Sequence, residues 1–221
     1  MKNILKNERG NIAIFVLGLL TINMVLFVFV LNLGSVFATK EKSSTIAQQA
    51  SMVATSVYYE EVQRVIEEYE DETLEGALQA FFEDFDEKVS DRKQSLTNSG
   101  QYSGWSVKEI EIEAFDQVLN EELHEPLVRN KLRDLLSSEA VENKVIQRVR
   151  HAITSNGGLL EDAQLKVDQN KFHVKASNEF KSTTLEGVID SFKENVFQSS
   201  SGPKIDFLEE VWTGSTTIDL E

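Results

Sequence analysis

The sequence predicts an α+β protein: a single N-terminal transmembrane helix continuing into a long amphipathic helix, then a small extracytoplasmic domain of helices and an antiparallel sheet. Three observations predict it. Ile12 to Leu31 is apolar except for Gly18, Thr21 and Asn23. Beyond that run a helical stripe continues, with Ile46, Ala50, Val53 and Val57 spaced by four, three and four. Farther on, Leu165 and Val167, then Phe172, Val174 and Ala176, alternate on either side of Asp168-Gln169-Asn170-Lys171, the pattern of a β-hairpin.

The apolar run has the length of a membrane span. About 20 apolar residues carry a helix across a hydrocarbon core of roughly 30 Å. Lys2, Lys6 and Arg9 precede it, whereas Lys40 and Lys42 beyond it are interleaved with Glu41 and followed by acid. The positive-inside rule then puts the N-terminus in the cytoplasm and residues 43–221 outside. Val36-Phe37-Ala38 offers a signal-peptidase site after Ala38, but the apolar run exceeds the usual h-region of about 7–15 residues, so a retained anchor is expected. Within the span, Asn23 either bonds a backbone carbonyl of its own helix or reaches a neighbouring helix, and Gly34 and Ala38 form a small-xxx-small pair.

Past the span, Ala47, Ser51 and Ala54 add a small-residue strip beside Ile46, Ala50, Val53 and Val57, and neither Pro nor Gly interrupts residues 35–75. One helix is therefore expected to reach about Tyr69, packing either on its own domain or on partner helices. Leu74, Leu78, Phe81, Phe82 and Phe85 stripe a second helix, with Glu75, Glu83, Asp84 and Asp86 opposite. The turn-rich stretch 95–106 reads as a loop ending in Trp105, an aromatic for either the core or a ligand. Ile110, Ile112 and Ala114 alternate with Glu109, Glu111 and Glu113, which predicts a strand over Ser106 to Phe115. Pro126 starts a helix bearing Val128, Leu132 and Leu135. Val141, Val145 and Val149 stripe another, closed by Asn156-Gly157-Gly158. After the hairpin, Thr183 and Glu186 form a capping box for a helix with Leu185, Val188, Ile189, Phe192 and Val196, and Lys204 to Val211 is expected to return as the last strand. The expected organisation is a basic N-terminus over 1–10, a transmembrane helix over 11–39, a helical region over 40–94, a loop over 95–106 and an α+β domain over 107–221.

Composition narrows function. The 37 acidic residues against 22 Lys and Arg give a net charge of -15, and the first 42 residues are net basic, so the acid lies in the outer region. Such a body repels phosphate backbones, and nucleic acid is not an expected partner. No cysteine is present, which removes disulfides, thiolate metal sites and cysteine nucleophiles. His124, His151 and His173 are too scattered for a local zinc set, and no Walker A, dinucleotide or Gly-x-Ser-x-Gly motif occurs. The acidic runs at 67–72 and 83–87 lack the Gly and ligand spacing of an EF-hand and read as solvated helix faces. The expectation is a non-enzymatic protein with no cofactor and no metal.

Arg9-Gly10-Asn11-Ile12-Ala13, the apolar run, Leu31-Asn32-Leu33-Gly34 and Thr45-Ile46-Ala47-Gln48-Gln49-Ala50-Ser51 together resemble the N-terminal segment of TadE/TadG-like proteins of the bacterial tight-adherence, or Flp-type, pilus assembly system. The resemblance covers about residues 8–55. It departs from the family where processed members carry Glu, here Phe15, and where an acidic residue closes the span, here Asn32. It also lacks the Asp-x-Ser-x-Ser run of longer members. What the resemblance implies is an unprocessed structural or assembly component of the cell envelope. Its partners would be membrane lipid, other pilus-assembly or pilin-like membrane helices and further copies of the chain. Asn23, Gly34, Ala38, Ile46, Ala50, Val53 and Val57 would form its packing surface. The alternative is a secreted or anchored acidic binding module.

Overall fold

A computed structural model describes residues 8–69, 76–183 and 192–221, and side chains from Ile12 onward. Lys2, Lys6, Glu70, Asp71, Glu72, Leu74, Glu75, Leu185, Glu186, Val188 and Ile189, singled out above, lie outside the described residues.

The architecture is α+β. Helix α1 (Glu8–Glu67) is unbroken over 60 residues, about 90 Å at 1.5 Å per residue. It ends close to where the sequence places its end. Helices α2 (Ala77–Asn98), α3 (Val107–Glu122), α4 (Pro126–Ser138) and α5 (Val141–Ser155) follow, then β1 (Leu159–Asp168), β2 (Lys171–Lys181), β3 (Lys193–Ser201), the short α6 (Leu208–Val211) and β4 (Thr217–Asp219). The four strands form one antiparallel sheet in the order β3-β2-β1-β4.

The sheet lies on the upper part of α1. β2 and β3 cover one side of the helix and α5 packs beside them. Small residues make this close approach possible. Ser43, Ala47, Ala50, Ser51 and Ala54 are all fully buried. At the top of β3, a Cβ on Gly202 would stand 2.4 Å from Thr55 Oγ1 and 2.8 Å from the Ser51 carbonyl, so only glycine fits there. Above this level the core turns aromatic. Tyr58 meets Phe172, Phe207 and Trp212, while Phe115 joins Phe85 and Phe207. One continuous core runs from Ile46 to Leu220, joining the helical region to the sheet.

The hairpin forms as its alternation predicts. Gln169 and Asn170 both adopt positive φ, 52° and 58°, the two-residue turn that matches strand twist. Asn170 also reaches sideways: its carbonyl accepts from Ile205 N, its amide donates to the Asp206 carbonyl, and its Oδ1 accepts from Glu209 N. α4 and α5 begin at Pro126 and Val141, and bury Val128 and Leu132, then Val141, Val145 and Val149.

Three expectations are corrected. Ser106 to Phe115 is not a strand. Ser106 accepts from Glu109 N while the Glu109 carboxylate accepts from Ser106 N, a capping box that starts α3. Its buried stripe is Ile110, Ala114, Phe115, Val118 and Leu119, and Ile112 faces out. Val196 belongs to β3 rather than to a helix, and Phe192 precedes that strand, because nine residues of β3 pair along β2 and rest on α1. Lys204 to Val211 is not the last strand: Asn170 holds it as a turn leading into α6, and β4 takes the edge beside β1. The predicted loop is also shorter at its start, since α2 runs through Leu96 to Asn98.

Candidate membrane and packing surface

α1 has two kinds of surface. From Ile12 to Phe37 most large apolar side chains are exposed, among them Phe15, Leu17, Phe27, Phe29 and Val30. This stretch is long and apolar enough to cross a membrane. Thr21 donates to the Leu17 carbonyl and, just beyond the stretch, Thr39 donates to that of Ser35, so both threonine hydroxyls are satisfied within the helix.

The polar and small residues of this stretch sort by face. At 3.6 residues per turn, Asn23 and Gly34 lie about 20° apart around the axis, with Ala38 about 60° from Asn23. All three are exposed. Asn23 has no hydrogen-bond partner among the described residues, so its amide is not spent on its own helix. A side chain at Gly34 would meet nothing within 4 Å. On roughly the opposite face sit Val28 and Asn32. Val28 is 6% exposed. Asn32 donates to the Thr183 carbonyl at 3.0 Å and accepts from Thr183 N at 2.6 Å. The chain's own domain therefore uses one side of the helix and leaves the Asn23–Gly34–Ala38 side open.

Ile46, Ala50, Val53 and Val57 have a different fate. Ile46 and Ala50 are buried, and Val53 and Val57 pack against the same core from partly buried positions. The sheet and α5 of the same chain occupy the face expected to meet a partner. The outward residues at this height are instead Thr45, Gln48, Gln49 and Met52.

Above Met52 the open side of α1 leads into a groove of about 360 Å³ between α1, α2 and α3. Met52, Ile66, Phe85, Val89, Ile112 and Phe115 make it largely apolar, and Glu60, Glu67, Asp86 and Glu111 outnumber Lys108 and Lys204 around it. The sequence marks Phe85 and Ile112 only as members of local apolar patterns; the groove itself does not show there, because its walls come from helices far apart in the chain. Trp105 is not in the groove or the core: it stands half exposed, edge-on to Tyr102 at 5.0 Å.

Tyr59 links the groove wall to a buried carboxylate. Its hydroxyl donates to Asp116 Oδ1 at 2.8 Å, and Asp116 also accepts from Asp206 N at 3.1 and 3.2 Å. Burial pushes the Asp116 pKa up to about 6, against the opposing effect of these hydrogen bonds. Burial and the neighbouring Asp116 raise the Tyr59 pKa as well. The arrangement ties α1, α3 and the turn before α6 together. The helix end is tied separately, with Glu61 accepting from Lys144 at 2.8 Å and Arg64 bonding Glu139 at 3.0 Å.

Compared with protein-family models, curated proteins and solved structures, the chain matches none, so the function rests on the surfaces described above.

Proposed function

We propose that this chain is a membrane-anchored, non-enzymatic structural or assembly component of a bacterial envelope system of the TadE/TadG-like, pilus-associated kind. Residues 11–39 of α1 hold it in the bilayer, 12–31 through the hydrocarbon core and 32–39 through the outer headgroup layer, and pack laterally on partner helices, with the N-terminus in the cytoplasm and the domain outside. The observation that carries this reading is the division of α1 into a domain-bound side and an open side bearing Asn23, Gly34 and Ala38. An unpartnered amide in hydrocarbon gains about 0.6–2 kcal/mol from an interhelical hydrogen bond, and small residues let the helices approach. The test is the mass and carbonate extraction of the mature protein from its host membrane. A chain retaining residues 1–38 and resisting extraction supports the reading. A soluble chain cut after Ala38 overturns it, and a cut after Gly10 turns the anchor into a processed filament subunit.

The groove favours a second reading, an anchored acidic module that binds a partly apolar ligand. Thermal unfolding of the full chain in detergent, against a panel of amphipathic cations and basic peptides, tests it. A concentration-dependent rise in Tm that Ile112→Asp abolishes supports it, and an unchanged Tm across the panel counts against it.

A further inference from the structure

The lower end of the sheet is not four-stranded. β1 starts at Leu159, opposite Ser177, so Asn178 to Lys181 and Lys193 to Val196 extend beyond it as a two-stranded ribbon. The ribbon runs down α1. At its top Gly202 abuts Ser51, and at its bottom Thr183 is bonded to Asn32. Ser51 and Asn32 are about 28 Å apart along the helix axis. The nine residues of β3 span about 30 Å. The two lengths agree, so β3 follows the helix down to the residue that closes the apolar run.

That places the ribbon's end at a defined height. Ile12 to Leu31 fills a bilayer core of roughly 30 Å, so Asn32 marks its outer boundary. Three features meet there. Phe192 is 54% exposed, yet its backbone is fixed: its N–H donates to Ser182 Oγ and its carbonyl accepts from Ser182 N. Its ring stands edge-on to Phe180, which is buried. Lys181 and Lys193 sit directly opposite each other, a repulsive pair offset by Glu179, which both reach. Each ammonium has three donors, so a bond to Glu179 leaves others for headgroup phosphates.

We propose that this ribbon end is a second membrane contact, with Phe192 seated at the outer headgroup boundary and Lys181 and Lys193 on lipid phosphates. Phe192 lacks the polar handle of the Trp and Tyr that gather at this depth, but its exposed ring leaves water by entering the headgroup and acyl boundary, as Phe does on interfacial helices. Together with Asn32, the contact sets the angle at which the domain stands on the membrane. The proposal rests on the anchor reading, and its test separates the two.

The chain contains no cysteine, so single-cysteine variants accept one nitroxide label each. Val25→Cys, Glu194→Cys and Lys204→Cys, in the full chain reconstituted in vesicles of phosphatidylethanolamine and phosphatidylglycerol, report the anchor, the ribbon end and the top of the domain. The readout is collision with oxygen relative to a water-soluble nickel chelate. The expected ratio at 194 is several-fold above that at 204 and below that at 25, and Phe192→Ser returns it to the value at 204 while leaving 25 unchanged. A label at 194 as water-exposed as that at 204, with 25 in lipid, overturns this contact alone. A label at 25 in water overturns the anchor and the contact with it.

Discussion

Residues 12–39 and 40–67 of α1 belong to one helix, yet they solve opposite problems. The lower half carries large side chains, Leu, Ile, Phe and Val, most of them exposed. The upper half buries mainly small ones beside Ile46, namely Ser43, Ala47, Ala50, Ser51 and Ala54, and turns to Tyr58, Val62 and Ile66 above the sheet's close contact. Large apolar surface left in water is unfavourable by about 25 cal/mol per Å², so the lower half makes physical sense in lipid. The upper half is instead narrow because a sheet must lie against it. Side-chain size along a single helix thus records what surrounds it at each height.

That contrast is broken most severely from the enclosed half. Ala50→Asp buries a charge with no partner between α1 and the sheet, and should cost about 3–5 kcal/mol in urea unfolding of the detergent-solubilised chain. Gly202→Ala is next. Its Cβ meets Thr55 Oγ1 and the Ser51 carbonyl well inside contact distance, and a loss of about 1–3 kcal/mol is expected in the same assay. Gly34→Leu sharpens the comparison from the other side. A larger side chain on the open face should leave domain stability within about 0.5 kcal/mol while reducing crosslinking to neighbouring helices in the membrane.

A pH-dependent test concerns the latch at Asp116, which joins α1 to the rest of its enclosed half. Its folded pKa, about 6, lies above the unfolded carboxylate value, so the folded state holds its proton more tightly. The carboxyl therefore favours folding at low pH, and that contribution is lost as pH rises from about 4 through 6. Asp116→Asn keeps an acceptor for the Tyr59 hydroxyl and Asp206 N. It should flatten this part of the stability–pH curve, measured by thermal unfolding between pH 4 and 7.

Local chemistry was legible in the sequence where neighbours decide it. The length of α1 follows from an apolar run and the absence of Pro and Gly after Gly34, α5 from its valines and Gly157, and the hairpin from alternation around Asn170. Over Ser106 to Phe115 the alternation of Ile110, Ile112 and Ala114 misleads; the structure shows an equally local capping box at Ser106 and Glu109, and the helix emerges because Phe115, Val118 and Leu119 continue its stripe. β3 is different. Its Gln198-Ser199-Ser200-Ser201 end has little strand propensity, and pairing along β2 supplies what propensity does not. For the surface, Asn23, Gly34 and Ala38 could be read as candidates, and the structure puts them on one open side. The burial of Ile46 and Ala50 by the chain's own sheet, and the bond from Asn32 to Thr183 across 151 positions, are long-range outcomes that no local spacing encodes.

The central claim is that the open side of the lower half meets other helices while the opposite side belongs to the chain's own domain. A photo-crosslinking amino acid placed singly at each position from 23 to 38, in the native host, tests it most directly. The account predicts crosslinks to membrane proteins that peak at 23, 27, 34 and 38 and vanish at 28 and 32. Crosslinks of equal strength around the helix, or none at 23 and 34, would contradict it.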